Sequence, residues 1–154
     1  MSLNKIIIGF IVILLLFSAF IVLQIDKNPA PKAKVTIDNQ TFSVEIATTS
    51  AEQQLGLSGR NSLPQDQGML FVFKTPERYA FWMKGMKFPL DIIFIKDNKI
   101  VSISHNVPAP KDANESNLPI ITPDAPANRT LEINAGLASK YDFQKGDDVG
   151  IKLK

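Results

Sequence analysis

The chain has no cysteine and a single histidine, His105, among 154 residues. The missing cysteine removes disulfides, thiolate metal sites and a cysteine nucleophile, and it is compatible with either redox compartment. The lone histidine stands on the apolar phase of its segment and reads as a core-edge residue. With no Gly-x-Ser-x-Gly motif to pair with it, a hydrolase triad is not expected. Excess charge is scarce too: 17 basic against 15 acidic residues leave +2. No basic patch interleaved with aromatics occurs, so no nucleic-acid partner is expected. There is no internal repeat, and the length suits one domain with an appendage rather than two full domains.

What is present is unevenly spread. Residues 6–23 run from Ile6 to Leu23 without a charge, close to the roughly 20 residues that a helix needs to cross a bilayer. A cleaved secretory signal is the alternative, but such apolar regions are shorter, and Phe17, Ile21 and Pro31 spoil the small-residue cleavage pattern. Residues 1–23 are therefore expected to be an uncleaved transmembrane anchor, with residues 24–33 a short, stiff tether carrying Pro29 and Pro31. Lys27, Lys32 and Lys34 after the span argue for a cytoplasmic domain by a simple count. The short leading tail resembles the start of an export signal, and the domain is placed outside the cytoplasm at the cell membrane.

The domain itself is expected over residues 34–154. Val35, Ile37, Phe42, Val44 and Ile46 alternate with polar residues across a turn at Asp38-Asn39-Gln40, as in a hairpin. Ser50-Ala51-Glu52-Gln53 offers a capping box for a short helix ending near Leu55, with Gly56 as its C-cap. Three strands are expected between Gly68 and Ile95. In the first, Met69, Phe71 and Phe73 share one face and Leu70 and Val72 the other. In the last, Leu90, Ile92 and Phe94 oppose Ile93 and Ile95. Apolar residues on both faces imply a strand covered on both sides. Val101, Ile103, His105 and Val107 share a phase on the next strand. Five of the ten prolines then fall between Pro108 and Asn128, where the pattern predicts a long loop, disordered around Lys111 to Asn117 or acting as a lid. Strands at Thr130–Ala135 and Val149–Leu153 close the chain. The predicted class is all-β: a small antiparallel β-sandwich or partly open barrel with one or two short helices.

The order Gly56-Leu57, Arg60, Leu63-Pro64, Gly68 to Phe73, Phe81-Trp82-Met83-Lys84, Pro89-Leu90-Asp91-Ile92, Leu131-Glu132, Ala135-Gly136 and Gly146-Asp147 resembles the domain of unknown function 192 family. The resemblance runs from about Val35 to the end. It implies a small β-rich, sandwich-like domain, often behind an export signal or anchor, and no established activity. The chain departs from the family pattern in three places. Ser58 stands where a methionine usually follows Gly-Leu, Gly85 stands where an asparagine follows Trp-Met-Lys, and a loop tyrosine is replaced near Ile120-Ile121.

Six residues are the candidates for a binding site: Arg60, Trp82, Met83, Lys84, Asp91 and Glu132. Lys84 and Asp91 sit among apolar neighbours, where an unpaired charge is costly, so pairs such as Lys84 or Arg60 with Asp91 or Glu132 are expected. Such pairs could be structural or could line a pocket. Glu132 is out of phase with Leu131 and Ile133, which makes an exposed face its default. Its place in the family pattern implies a partner instead. Trp82, if open to solvent, is a stacking platform. Met69, Met83 and Met86 with His105 could in principle hold Cu(I), but core filling is the simpler account, and neither metal nor cofactor is expected. The leading expectation is a membrane-anchored domain outside the cytoplasm that binds a small ligand, envelope component or protein partner without catalysis. The alternative is an envelope-glycan hydrolase using Asp91 and Glu132 as its carboxylate pair.

Overall fold

The computed structural model describes residues 32–111 and 118–153, with Ile11 and Leu14. The expected anchor, most of the tether and the core of the proline-rich loop lie outside the described residues. Among the described residues, no helix is long and apolar enough to cross a membrane.

Seven strands form one sheet: β1 Lys32–Ile37, β2 Gln40–Ala47, β3 Gln67–Glu77, β4 Leu90–Lys96, β5 Lys99–Val107, β6 Ala127–Asn134 and β7 Val149–Leu153. Their spatial order is β5-β4-β6-β3-β2-β1-β7. The β1–β2 and β4–β5 hairpins turn through Asp38 and Asp97, both with positive φ (51° and 57°), a backbone region that aspartate tolerates better than most residues.

The sheet curls until its edge strands meet at one end. Lys99 and Asp148 form a bridge there, and Val149 N–H donates to the Asn98 carbonyl at 2.8 Å. Of the two expected forms, this is the partly open barrel. All pairings are antiparallel except β2 with β3, which run parallel because the connection carrying α1 (Ser50–Leu55) crosses between them.

Two apolar layers follow from the strand alternation. The inner one gathers Val35, Phe42, Val44, Leu70, Ile93, Leu131 and Ile133 with Leu137 and Ala138 of α2 (Leu137–Lys140). The outer one gathers Met69, Phe71, Leu90, Ile92 and Phe94 beneath Leu57, Leu63, Phe81, Met83 and Met86. The opposed faces read for β3 and β4 are thus the two faces of one sheet, and the outer face is roofed by loops. The segment around Phe81-Trp82-Met83 is not the strand expected. It makes one bridge, between Phe81 and Ile121, and otherwise turns.

Two shifts in register interrupt the β4–β5 ladder, so the single phase expected of β5 is broken. Val101 packs on the outer layer and Ile103 on the inner one. Ser102, which alternates with Val101 and Ile103, is buried and donates to Asp124 at 3.2 Å.

Candidate functional site

The site is built on the outer face of β3 and β6. Met69 is paired with Glu132 across these strands, so Glu132 shares the face of Met69, Phe71 and Phe73. Gly68 permits the close approach: a Cβ there would lie 2.5 Å from the Glu132 carbonyl oxygen.

One wall is α1 with the turn after it. Its N-cap is Thr49, one residue before the expected Ser50. The Thr49 hydroxyl accepts from Glu52 N–H at 3.3 Å, and the Glu52 carboxylate accepts from Thr49 N–H at 2.8 Å. Two capping boxes overlap in the sequence, and the one with a carboxylate makes the stronger, charge-assisted bond. Those hydrogen bonds hold the Glu52 carboxyl below the ordinary range. Gln53 is thereby freed to donate to the Val72 carbonyl at 2.9 Å, which fastens α1 to β3.

The other wall is the segment from Tyr79 to Met86. It is laced to the turn after α1 by Ser58 Oγ donating to the Lys84 carbonyl at 2.7 Å and by Gly59 N–H donating to the Gly85 carbonyl at 2.9 Å. Gly85 has φ 71°. Glycine and asparagine are the residues that take this conformation at least cost, which accounts for their exchange relative to the family pattern.

Between the walls is a pocket of about 280 Å³. Phe73 and Tyr79 stack at 3.7 Å between centroids, and Phe71 meets Phe81 edge-to-face at 5.2 Å. Leu55, Leu57, Trp82 and Met86 complete the apolar lining. Trp82 stands at the lip, 50% exposed.

Glu132 also lines this pocket. It is 6% exposed, and among the described residues its carboxyl has neither a hydrogen-bond partner nor an ion pair. Burial alone pushes it up from 4.5 to about 8. Lysine, arginine and histidine do not line the pocket.

The other expected partnerships are corrected by this geometry. Arg60 pairs with neither Asp91 nor Glu132. It grips Glu45 in a two-pronged contact at 2.6 and 2.7 Å, which holds the Glu45 carboxyl below its ordinary value despite partial burial. The Lys84 side chain is exposed rather than set among apolar neighbours. Met83 is buried in the outer layer and borders a separate cavity beside Pro108 and Pro110.

Asp91 is fully buried, but on the inner face. Its two oxygens accept from Asn106 N–H at 2.7 Å and Ala138 N–H at 2.8 Å. The N-cap of α2 is Gly136, which has no side chain to cap with, and Asp91 supplies that cap from across the sheet. Asp91 pairs with Ile133, and Glu132 with Ile92. The two carboxyls therefore project from opposite faces and cannot flank one glycosidic bond. Met69, Met83 and Met86 all belong to the outer layer, while His105 lies 3.3 Å from the Ser139 hydroxyl of α2.

Of the six candidates, then, the structure brings Trp82 and Glu132 together and disperses the rest. The proline-rich loop does not line the pocket with its described residues; it bridges to Phe81 from outside. Nothing in the sequence pattern of α1 signals a pocket. Phe73 was findable, being in phase with Met69 and Phe71.

Comparison with known proteins agrees with the architecture. The DUF192 family model, described as Uncharacterized ACR, matches residues 33–151. The chain is similar to a protein of unknown function from Novosphingobium aromaticivorans DSM 12444, known from a crystal structure. The two are 34% identical with a TM-score of 0.68, over 77% of this chain and 83% of that one. It is also similar to a Sinorhizobium meliloti 1021 protein provisionally named a transcription regulator. Identity there is 30% and the TM-score 0.65, over 78% of this chain and 92% of that one. No curated protein matches the chain.

Proposed function

The chain belongs to the DUF192 family, and from that premise we propose that its β-domain is a small-ligand-binding module, anchored through residues 6–23 and held outside the cytoplasm. Glu132 is the observation that carries the binding reading. A carboxyl without a partner at the base of an aromatic pocket costs stability, and a site for a ligand is the use that fits such a cost. The wall of α1, the aromatic lining and the exposed lip at Trp82 support a ligand that is mostly apolar with one polar group. Catalysis by paired carboxylates loses its support with Asp91 on the other face.

Thermal-shift screening of the full chain against small aromatic compounds tests the binding reading. Stabilising compounds are expected, with their shifts lost in Trp82→Ala and kept in Lys84→Ala. Shifts that survive in Trp82→Ala and vanish in Lys84→Ala would move the site away from this pocket. The location is tested separately. Alkaline phosphatase fused after Lys154 is expected to be active, and an inactive fusion beside an active cytoplasmic reporter would reverse the orientation.

A further inference from the structure

We propose that the ligand of this pocket is a cationic amine, its ammonium seated between the Glu132 carboxylate and the surrounding aromatic rings. The inference rests on the pocket being a binding site and adds the chemical class of what it binds. Three observations converge on a cation.

The lining has no positive side chain, so an anionic ligand would find no countercharge there and would hold Glu132 in its protonated form. Phe71, Phe73, Tyr79, Phe81 and Trp82 all border the same space, and the faces of such rings attract cations, most of all when water is excluded. The other polar groups near the floor are already engaged: Gln53 Nε2 with the Val72 carbonyl and Ser58 Oγ with the Lys84 carbonyl. Ser50 and Gln54 also border the pocket but are exposed on α1, and Glu132 is the buried polar group facing the ligand. A neutral alcohol or amide could hydrogen-bond to it, but its polar group would gain no cation–π attraction from the rings.

Binding has a proton balance. Free Glu132, raised to about 8 by burial, is mostly protonated at neutral pH. Its COOH and an incoming ammonium become a carboxylate–ammonium pair, and the carboxyl proton leaves to solvent. The other titratable groups nearby do not blur this exchange. Glu45, on the same face two strands away, is held by Arg60, and Glu52 is spent on its helix cap. Tyr79 is the remaining titratable residue of the lining.

The test compares three probes of matched shape, 2-phenylethylamine, 2-phenylethanol and phenylacetate, on the full chain in a non-ionic detergent. Fluorescence of Trp82, the one tryptophan of the sequence, reports occupancy. Calorimetry in two buffers of different ionisation enthalpy reports protons. The amine is expected to bind at least about tenfold more tightly than the alcohol near pH 7, with close to one proton released, and phenylacetate is expected not to bind. In Glu132→Gln the alcohol should still bind, while the amine loses its advantage and releases no proton. Equal or tighter binding of the alcohol to the unmodified chain overturns the cation inference and leaves the pocket reading standing. Failure of all three probes at millimolar concentration overturns both.

Discussion

Glu132→Gln is expected to abolish a loss of stability that the unmodified domain suffers as the pH rises from about 5 to about 8. Burial raises the Glu132 carboxyl from 4.5 to about 8 in the folded domain, so folding retains a proton that the unfolded chain gives up. Stability from this group is complete below 4.5, falls as the pH climbs toward 8, and levels off above it. The gap corresponds to roughly 5 kcal/mol between the two plateaus. Glu132 is 6% exposed, and its partnerless oxygens open onto the pocket rather than being sealed from it, so that figure is an upper bound. Glutamine keeps the shape and has no proton to lose, so the variant's advantage should grow with pH. Glu45 and Glu52 are both held below the ordinary carboxylate value. Their contributions run the opposite way and are lost as the pH falls below about 4.5, which leaves the higher window to Glu132. Urea unfolding at several pH values measures this. Parallel pH profiles for the two proteins would mean that Glu132 is not desolvated.

Asp91→Ala is expected to be the most damaging single substitution on the opposite face. The carboxylate accepts from two backbone amides, Asn106 and Ala138, and none of its surface reaches solvent. Alanine leaves both donors without a partner at the junction of β5, α2 and the inner layer. Unsatisfied buried donors cost about 1–3 kcal/mol each, and charge-assisted bonds are at the upper end, so a loss of about 3–5 kcal/mol is expected. In Asp91→Asn the side-chain amide would accept one bond and turn its NH₂ group toward the second donor, so this variant should recover part of the loss at best. Melting or denaturant midpoints of the two variants check this. An Asp91→Ala protein as stable as its parent, yet unable to bind ligand, would return Asp91 to the site.

Period-two alternation in β3 and β4 identifies the two faces, because Gly68 to Phe71 and Leu90 to Ile95 are buried on both. The same logic misplaced Glu132. Alternation says only that Glu132 opposes Leu131 and Ile133; it does not say that Leu57, Phe81, Met83 and Met86 roof the other face. Those four come from turns and loops that have no period, so no strand pattern announces them.

Asp91 was singled out correctly as a buried charge, yet its partners could not be read, since backbone amides are common to every residue. The countercharges that the sequence offers are Lys84 and Arg60, one of which is exposed and the other committed to Glu45. The family resemblance located the segments that matter, Phe81 to Lys84 and Leu131-Glu132, without saying which side chains meet. The parallel step from β2 to β3 is what places α1 over the outer face, and topology of that kind is set by packing rather than by local pattern.

The role proposed for Glu132 is that of a desolvated, unpartnered carboxyl reserved for a ligand. Following the Glu132 side-chain carboxyl carbon by NMR through a pH titration of the full chain, with and without 2-phenylethylamine, tests it most directly. The expected result is a midpoint near 8 in the free protein and a fall of more than about one pH unit when the amine is present. A midpoint near 4.5 in the free protein, or a high midpoint that the amine leaves unmoved, would contradict it.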